Sequence, residues 1–419
     1  MHVLVLGAGL AGVSTAWYLH RAGFEVSVVD RQPEAGRETS FANGGQISIS
    51  HPEPWSNPAT PFLALRWLGK PDAPLQFHPR ASSDQWRWAL RFLHECLPWR
   101  SRRNTEAIAA LATFSGERLR ALRAETGIAY DHRERGILHL FYTPDEFRHA
   151  PGRVALLERF GISARVCNAD ECVAIEPALA SQRDALAGGL YAPGDESGDA
   201  FRFTQALAAR LSDEGVRFHY DTRIDGLAAA NGRIHGVEVL DAEGRRGMLA
   251  AKAYVVCLGS FSAQMVAPLG ERLPIYPVKG YSVTAPVADP TLAPEVSLTD
   301  ESRRIVCSRL GDRLRIAGTA ELDGFETHVR PERIRTILDW VQARFPGAID
   351  PAQGTPWAGL RPATPGNLPI IGKGHCDNLW FNTGHGTLGW TLACGSAAAL
   401  SELMLGRCPA PRFPFRSAA

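Results

Sequence analysis

Two clusters of residues could do chemistry. The first is GAGLAG at 7–12 together with Asp30. Gly7 permits a tight turn, Gly9 lets the backbone approach a pyrophosphate, and Gly12 lets a helix pack closely on a strand. The helix N-terminus then presents free N–H groups and a positive dipole end to the phosphates. Asp30, 21 residues after Gly9, can accept hydrogen bonds from ribose hydroxyls. The second cluster is TGHGTLGWT at 383–391, a glycine-rich turn that opens a helix of small residues. Backbone donors there, around Gly384, His385, Gly386, Thr387 and Leu388, suit the stabilisation of negative charge on a bound ring.

These residues work only if the surrounding elements position them. HVLVL at 2–6 reads as a buried strand. Val13, Ala16, Trp17 and Leu19 then recur at helical spacing up to Ala22-Gly23, and EVSVV at 25–29 is a second buried strand ending at Asp30. Strand, glycine turn, helix, strand and acid in this order form a dinucleotide-binding unit. A nicotinamide-binding domain would continue with another helix and strand. ETSFANGGQI at 38–47 is instead a small polar loop, and a loop of this kind suits contact with a flavin ring.

Further along, 201–214 reads as a helix, 217–220 as a strand and 224–239 as a hairpin around Asn231-Gly232. AYVVCL at 253–258 is a third buried strand, and Gly259 at its end suits a backbone passing close to a dinucleotide. Residues 53–194 are thus inserted into the nucleotide domain. A second insert, about 275–345, holds a strand at 313–317 and a helix at 331–345.

Composition narrows the function classes. The 419 residues are 45% hydrophobic and 21% charged, ordinary for a globular chain of two or three domains. Lys plus Arg is 45 and Asp plus Glu is 44, which argues against a nucleic-acid partner and against disorder. None of the eight cysteines forms a CxxC pair, and no histidine stands at zinc spacing from Cys167 and Cys172. No metal site is expected; buried reduced thiols in a cytoplasmic protein are. No apolar run reaches 18 residues, and the first apolar stretch lacks the basic start of a signal peptide.

The segment 53–100 is rich in Pro and Trp and carries few regular signals beyond apolar stretches at 61–70 and 85–99. The second of these reads as a helix with Trp86, Leu90, Leu93 and Leu97 on one side, running into Arg100, Arg102 and Arg103. Two readings stand: a core helix with a solvated basic end, which is preferred, or a helix on a membrane surface. A long helix is expected over 103–127, a strand over 136–142 and a helix over 144–160.

Five motifs together resemble the D-amino-acid oxidase superfamily of flavoproteins, in particular its bacterial dehydrogenase members: GAGLAG (7–12), ETSFANGGQIS (38–48), YPVKGYS (276–282), GLRPATP (359–365) and NTGHGTLGWTLACG (382–395). The resemblance implies an α/β fold (α+β overall), with a Rossmann-like FAD-binding domain and an inserted mixed-sheet substrate domain. The expected division is 1–52, 195–275 and 346–419 for FAD, and 53–194 with 276–345 for the substrate or cap domain. It implies oxidation of a D-amino acid to a 2-oxo acid and ammonia, with electrons passed to a quinone or another acceptor. The localisation it implies is cytoplasmic, with peripheral attachment to the inner membrane. A glycine/sarcosine-type oxidase, a D-hydroxyproline dehydrogenase and a non-catalytic flavin-binding subunit remain as alternatives.

Residue by residue, the resemblance assigns Gly7, Gly9, Gly12 and Asp30 to the FAD pyrophosphate and ribose. Val3, Leu4, Val5, Leu6, Leu10, Ala11, Arg31, Ile224 and Gly259 are expected beside the same cofactor. Ser40, Asn43, Gly44, Gly45, Gln46 and Ile47 fall on the flavin-side loop, and 384–388 on the ring-cradling loop. Arg361 falls on the arginine that binds the substrate carboxylate, with Tyr281 as a weaker candidate for the same pocket. His385, in the loop under the flavin, reads either as a catalytic or flavin-tuning group or as a structural, hydrogen-bonded histidine, and the structural reading is preferred. Two departures matter. Gly366-Asn367 replaces the usual Asp-Gly after the TP dipeptide, and Gly359 stands where sarcosine-oxidase relatives carry a flavin-linking cysteine. FAD is therefore expected to be held non-covalently.

Overall fold

The computed structural model of the chain describes every residue except 68, 71, 72, 418 and 419. A six-stranded sheet is ordered 370–373, 379–383, 253–256, 2–6, 25–29, 217–219. Its inner pairs are parallel, and only the 370–373 edge is antiparallel. Strand 2–6 is buried on both faces, as a parallel strand between two layers must be. Val3 and Val5 face helices Leu10–Arg21, Pro98–Thr126, Ala200–Asp213 and Gly389–Met404. Leu4 and Leu6 face the antiparallel meander 223–249, through Ile234, Val237 and Val239. The hairpin turns at Asn231 and Gly232, both at positive φ.

A second, mixed sheet runs 355–363, 276–286, 313–322, 305–310, 297–300, 137–141, 188–192, 165–167, with 75–77 pairing beside 313–322. Helix Pro331–Arg344 covers its back, packing Ile337, Trp340 and Val341 on Val283, Leu298 and Ile316. The expected domain division is crossed twice. Strand Thr355–Ala363 hydrogen-bonds into the second sheet, and helix Pro98–Thr126 packs Ile108, Leu111, Leu119 and Leu122 into the core of the first.

Several local expectations are corrected. The helix read over 85–99 spans Ser83–Glu95, and the next begins at Pro98 rather than at 103, because proline suits a first helical turn. That helix ends at Gly127, in the left-handed conformation. The helix expected over 144–160 is split into Pro144–Phe147 and Ala150–Glu158. The core reading of the first amphipathic helix does not hold: Trp86, Leu90, Leu93 and Leu97 are 49, 68, 51 and 41% exposed, while Gln85 and Trp88 are buried. The apolar stretch at 61–70 forms helix Thr60–Trp67 with Phe62 and Leu65 exposed; Leu68 lies outside the described residues. Among the described residues no helix is long and apolar enough to cross a membrane. All eight cysteines are free, and only Cys408 is exposed.

Candidate active site

A cavity of about 1380 Å³ is bordered by residues of both sheets. At its phosphate end the glycines do separate jobs. Gly7 has φ +106°, and a Cβ there would lie 2.7 Å from the Cys257 carbonyl oxygen. A Cβ on Gly12 would lie 1.8 Å from the Gly7 oxygen, so the helix can sit against the turn only because that atom is missing. A Cβ on Gly9 would meet nothing nearer than Ser40 Oγ at 3.7 Å, which leaves the space in front of the helix open. Ser40 Oγ accepts from the Leu10 N–H at 3.0 Å. Asp30 accepts from the Ala8 N–H at 2.6 Å and the Gln32 N–H at 2.8 Å, while burial raises its pKa above the usual carboxylate value. Arg31 lies over the Phe261 ring and pairs with Glu38.

The loop 38–47 is strapped across the second sheet. Gln46 Nε2 donates to Ser297 Oγ and Thr299 Oγ1, both at 3.0 Å, and Arg315 donates to the Asn43 carbonyl at 3.0 Å. A Cβ on Gly44 would press on Val306 at 2.7 Å. Opposite, the short turn Gly386–Leu388 leads into helix Gly389–Met404, so that Gly386, Thr387 and Leu388 border the cavity at a helix N-terminus. His385 is bonded through Nε2 to Ser396 Oγ at 2.9 Å, and burial pushes its pKa down to about 4. It is neutral at physiological pH and serves to fix the turn.

Arg361 also borders the cavity. Its guanidinium lies flat against Gly280, where a Cβ would come within 2.4 Å of it, and 5.7 Å from the Trp55 ring centroid. No carboxylate pairs with it among the described residues; burial alone shifts its pKa, down to about 10. It stays protonated at neutral pH. An enclosed cation without a counter-ion is costly unless a ligand provides one.

Most of the expected residues border this one cavity: Gly7, Gly9, Leu10, Ala11, Asp30, Arg31, Ser40, Asn43, Gly44, Gly45, Gln46, Ile224, Gly259, Tyr281, Arg361 and 385–388. Val3, Leu4, Val5, Leu6, Gly12, Ile47 and Gly384 are not on its wall. The four strand residues and Ile47 are core, Gly12 lies behind the turn, and Gly384 makes a positive-φ bend. Tyr281 alternates with Gly280, so its ring points to the face opposite Arg361, and its hydroxyl donates to Glu321 Oε2 at 2.9 Å. The carboxylate pocket is therefore not completed by that hydroxyl. Trp55, which flanks Arg361, went unread because its Pro-rich surroundings carry no period.

A dinucleotide cradle facing a sheet-borne, unpaired arginine across one cavity defines a flavin-dependent oxidoreductase. The chain belongs to the DAO family of FAD dependent oxidoreductases, whose model matches residues 2–403. The cradle fits the family's cofactor: an open space before Gly9, a helix N-terminus at Leu10 behind it, and a glycine loop held against the sheet by Gln46 and Arg315. Among similar proteins, a D-amino acid dehydrogenase of Dechloromonas aromatica is 52% identical over 415 residues, 99% of each chain. A D-amino acid dehydrogenase of Paramagnetospirillum magneticum is 49% identical, over 97% of this chain and 96% of the other. In fold, glycine oxidase from Geobacillus kaustophilus matches with a TM-score of 0.73 at 22% identity, covering 98% and 95% of the two chains.

Proposed function

We propose that this protein oxidises D-amino acids to 2-oxo acids and ammonia as a dehydrogenase. The observation that carries the reading is the enclosed, unpaired guanidinium of Arg361 on the wall of the cavity that the cofactor loops also border. The names of the similar dehydrogenases support the choice of a D-amino acid. Arg361 forks onto the substrate carboxylate and fixes the Cα–H by two parallel hydrogen bonds. Trp55 beside Arg361 and Trp357 over Gly359 border the same region and screen it from water. No side chain is assigned as general base: burial pushes the His385 pKa down to about 4, which makes it a weak base, and its Nε2 is engaged by Ser396. When bound, FAD supplies the two-electron acceptor for the Cα–H bond, and the released imino acid hydrolyses in water. We assign non-covalent binding: Cys257, the cysteine bordering the cavity among the described residues, lies against Gly7 and Gly12 at the phosphate end, and Gly359 is beside Arg361. Under anaerobic conditions D-alanine is expected to bleach the flavin absorbance and L-alanine to leave it; acid precipitation then leaves all yellow colour in the supernatant. No bleaching with any amino acid would overturn the reading.

The electron acceptor is, on this reading, a quinone met at a membrane. Phe62 and Leu65 are 70 and 71% exposed, and on the same helix Leu63 and Trp67 border the cavity. Leu90, Leu93 and Trp99 add to the exposed apolar set. Arg87, Arg91, Arg100, Arg102 and Arg103 flank them, against Asp84 and Glu95, the latter paired with Arg100 at 2.6 Å. An apolar face with a basic border suits an anionic bilayer. The protein is expected to float with vesicles containing anionic phospholipid, and the double substitution Leu90→Ser with Leu93→Ser to release it. Equal recovery in the unbound fraction with and without anionic lipid would count against membrane docking.

A further inference from the structure

At the far end of the cavity from Arg361 stands a group of polar side chains, His139 and Glu301 buried, His51 and Arg153 half-buried and Arg304 exposed, that the chemistry above does not use. His139 Nδ1 donates to Glu301 Oε1 at 2.8 Å, Arg153 to the same oxygen at 2.9 Å, and Arg304 to Glu301 Oε2 at 2.7 Å. Arg153 also reaches His51 Nδ1 at 3.4 Å, and the two imidazoles stack with centroids 5.7 Å apart. All five residues border the cavity. Burial alone would raise the Glu301 pKa, but Arg153, His139 and Arg304 together hold it well below the usual value. Burial keeps His51 neutral. A guanidinium can only donate, so Nδ1 of His51 accepts and its proton sits on Nε2. That N–H has no partner among the described residues.

Two imidazoles and a carboxylate this close could in principle bind a cation. Arg153 already donates to two of the three ligand atoms, and a metal ion would face two arginines there. Glu53 adds a second carboxylate, 3.4 Å from Arg153 Nε, so two guanidiniums stand against two carboxylates and what is left over is donors: the free N–H of His51 and the guanidinium hydrogens not yet engaged. Such an end accepts a group with lone pairs.

We propose, on the reading that this protein oxidises amino acids, that His51 and Arg153 form a second recognition point for the terminal carboxylate or carboxamide of an amino-acid side chain. The Arg361 guanidinium lies over strand 276–286, and Glu301 follows strand 297–300, three strands along the same sheet. At strand spacing that is roughly 14 Å, about the span of a five-carbon dicarboxylate with a hydrogen bond at each end. Glutamate-sized substrates therefore bridge the cavity, and shorter ones engage Arg361 alone.

The test compares kcat/KM for D-glutamate, D-glutamine and D-norvaline in the holoenzyme, Arg153→Met and His51→Leu. In both variants the ratio of the glutamate or glutamine value to that for D-norvaline is expected to fall at least tenfold. A fall for glutamate alone narrows the ligand to a carboxylate. Should Arg153→Met fail to fold, His51→Leu carries the comparison. A second arm needs no turnover: glutarate should bind the holoenzyme at least tenfold tighter than butyrate, measured by titration calorimetry, and both variants should lose that advantage. If no amino acid is oxidised, the functional reading fails, and the glutarate comparison still decides this one. Unchanged ratios in the variants, or equal binding of glutarate and butyrate to the wild type, would overturn the proposal.

Discussion

Arg361→Ala is expected to lower kcat/KM for amino-acid substrates about a hundredfold or more, a loss of roughly 3 kcal/mol of transition-state binding. The size follows from the setting. The guanidinium is enclosed, without a protein counter-ion, and still protonated at neutral pH with its pKa pushed down to about 10. A carboxylate arriving there replaces lost hydration with a charge-assisted, two-point contact, and it orients the Cα–H at the same time. Both effects vanish with the side chain. Arg361→Lys should recover only part, because an ammonium offers a point charge rather than a planar fork. Gly280 adds a geometric condition: any side chain at 280 would occupy the place of the guanidinium. Steady-state kinetics with D-alanine check the expectation, and an unchanged kcat/KM in Arg361→Ala would remove Arg361 from the substrate site.

The sequence made one half of this molecule readable and hid most of the other. The first sheet was legible because its strands are short apolar runs bounded by glycine and acid, and because GAGLAG stands between two of them. The second sheet was hard to see. Strand 276–286, YPVKGYSVTAP, carries proline near both ends, a glycine and a lysine. Nearly all of it is buried, so it shows no polar–apolar alternation. Lys279 is fully buried because Glu321 pairs with it at 3.0 Å, a tertiary compensation that no local pattern reports. The far-end group was invisible for the same reason: His51, His139, Arg153 and Glu301 come from four separate segments, and only the fold brings them together. The exposed leucines of helix Ser83–Glu95 show the converse error, since an apolar stripe at helical spacing reports an apolar helix face and not that the rest of the chain packs on it.

Gly12→Ala is expected to cost both stability and cofactor. In an ordinary helix the exchange would favour folding by about 1 kcal/mol, through alanine's better helix propensity. Here the added methyl would lie 1.8 Å from the Gly7 carbonyl oxygen and 3.4 Å from Cys257 Cβ. The obstacle is backbone in a turn already held at φ +106°, so it cannot move aside as a side-chain tip would. Overpacking of this kind costs about 1–3 kcal/mol and sometimes more, which outweighs the propensity gain. The helix must back away from the turn, and its first N–H groups then lose their aim at the phosphates. Gly9→Ala separates the two consequences. Its methyl meets nothing nearer than Ser40 Oγ at 3.7 Å, and its backbone, at φ −72°, accepts alanine. The apoprotein of Gly9→Ala should melt within about 1 °C of wild type, whereas that of Gly12→Ala should melt several degrees lower, about 2–4 °C for each kcal/mol. Both should retain less FAD on gel filtration, Gly9→Ala because the methyl intrudes on the pyrophosphate, Gly12→Ala because the helix has shifted. If Gly12→Ala melts with the wild type and keeps its flavin, the close approach of helix and turn is not what holds the cradle together.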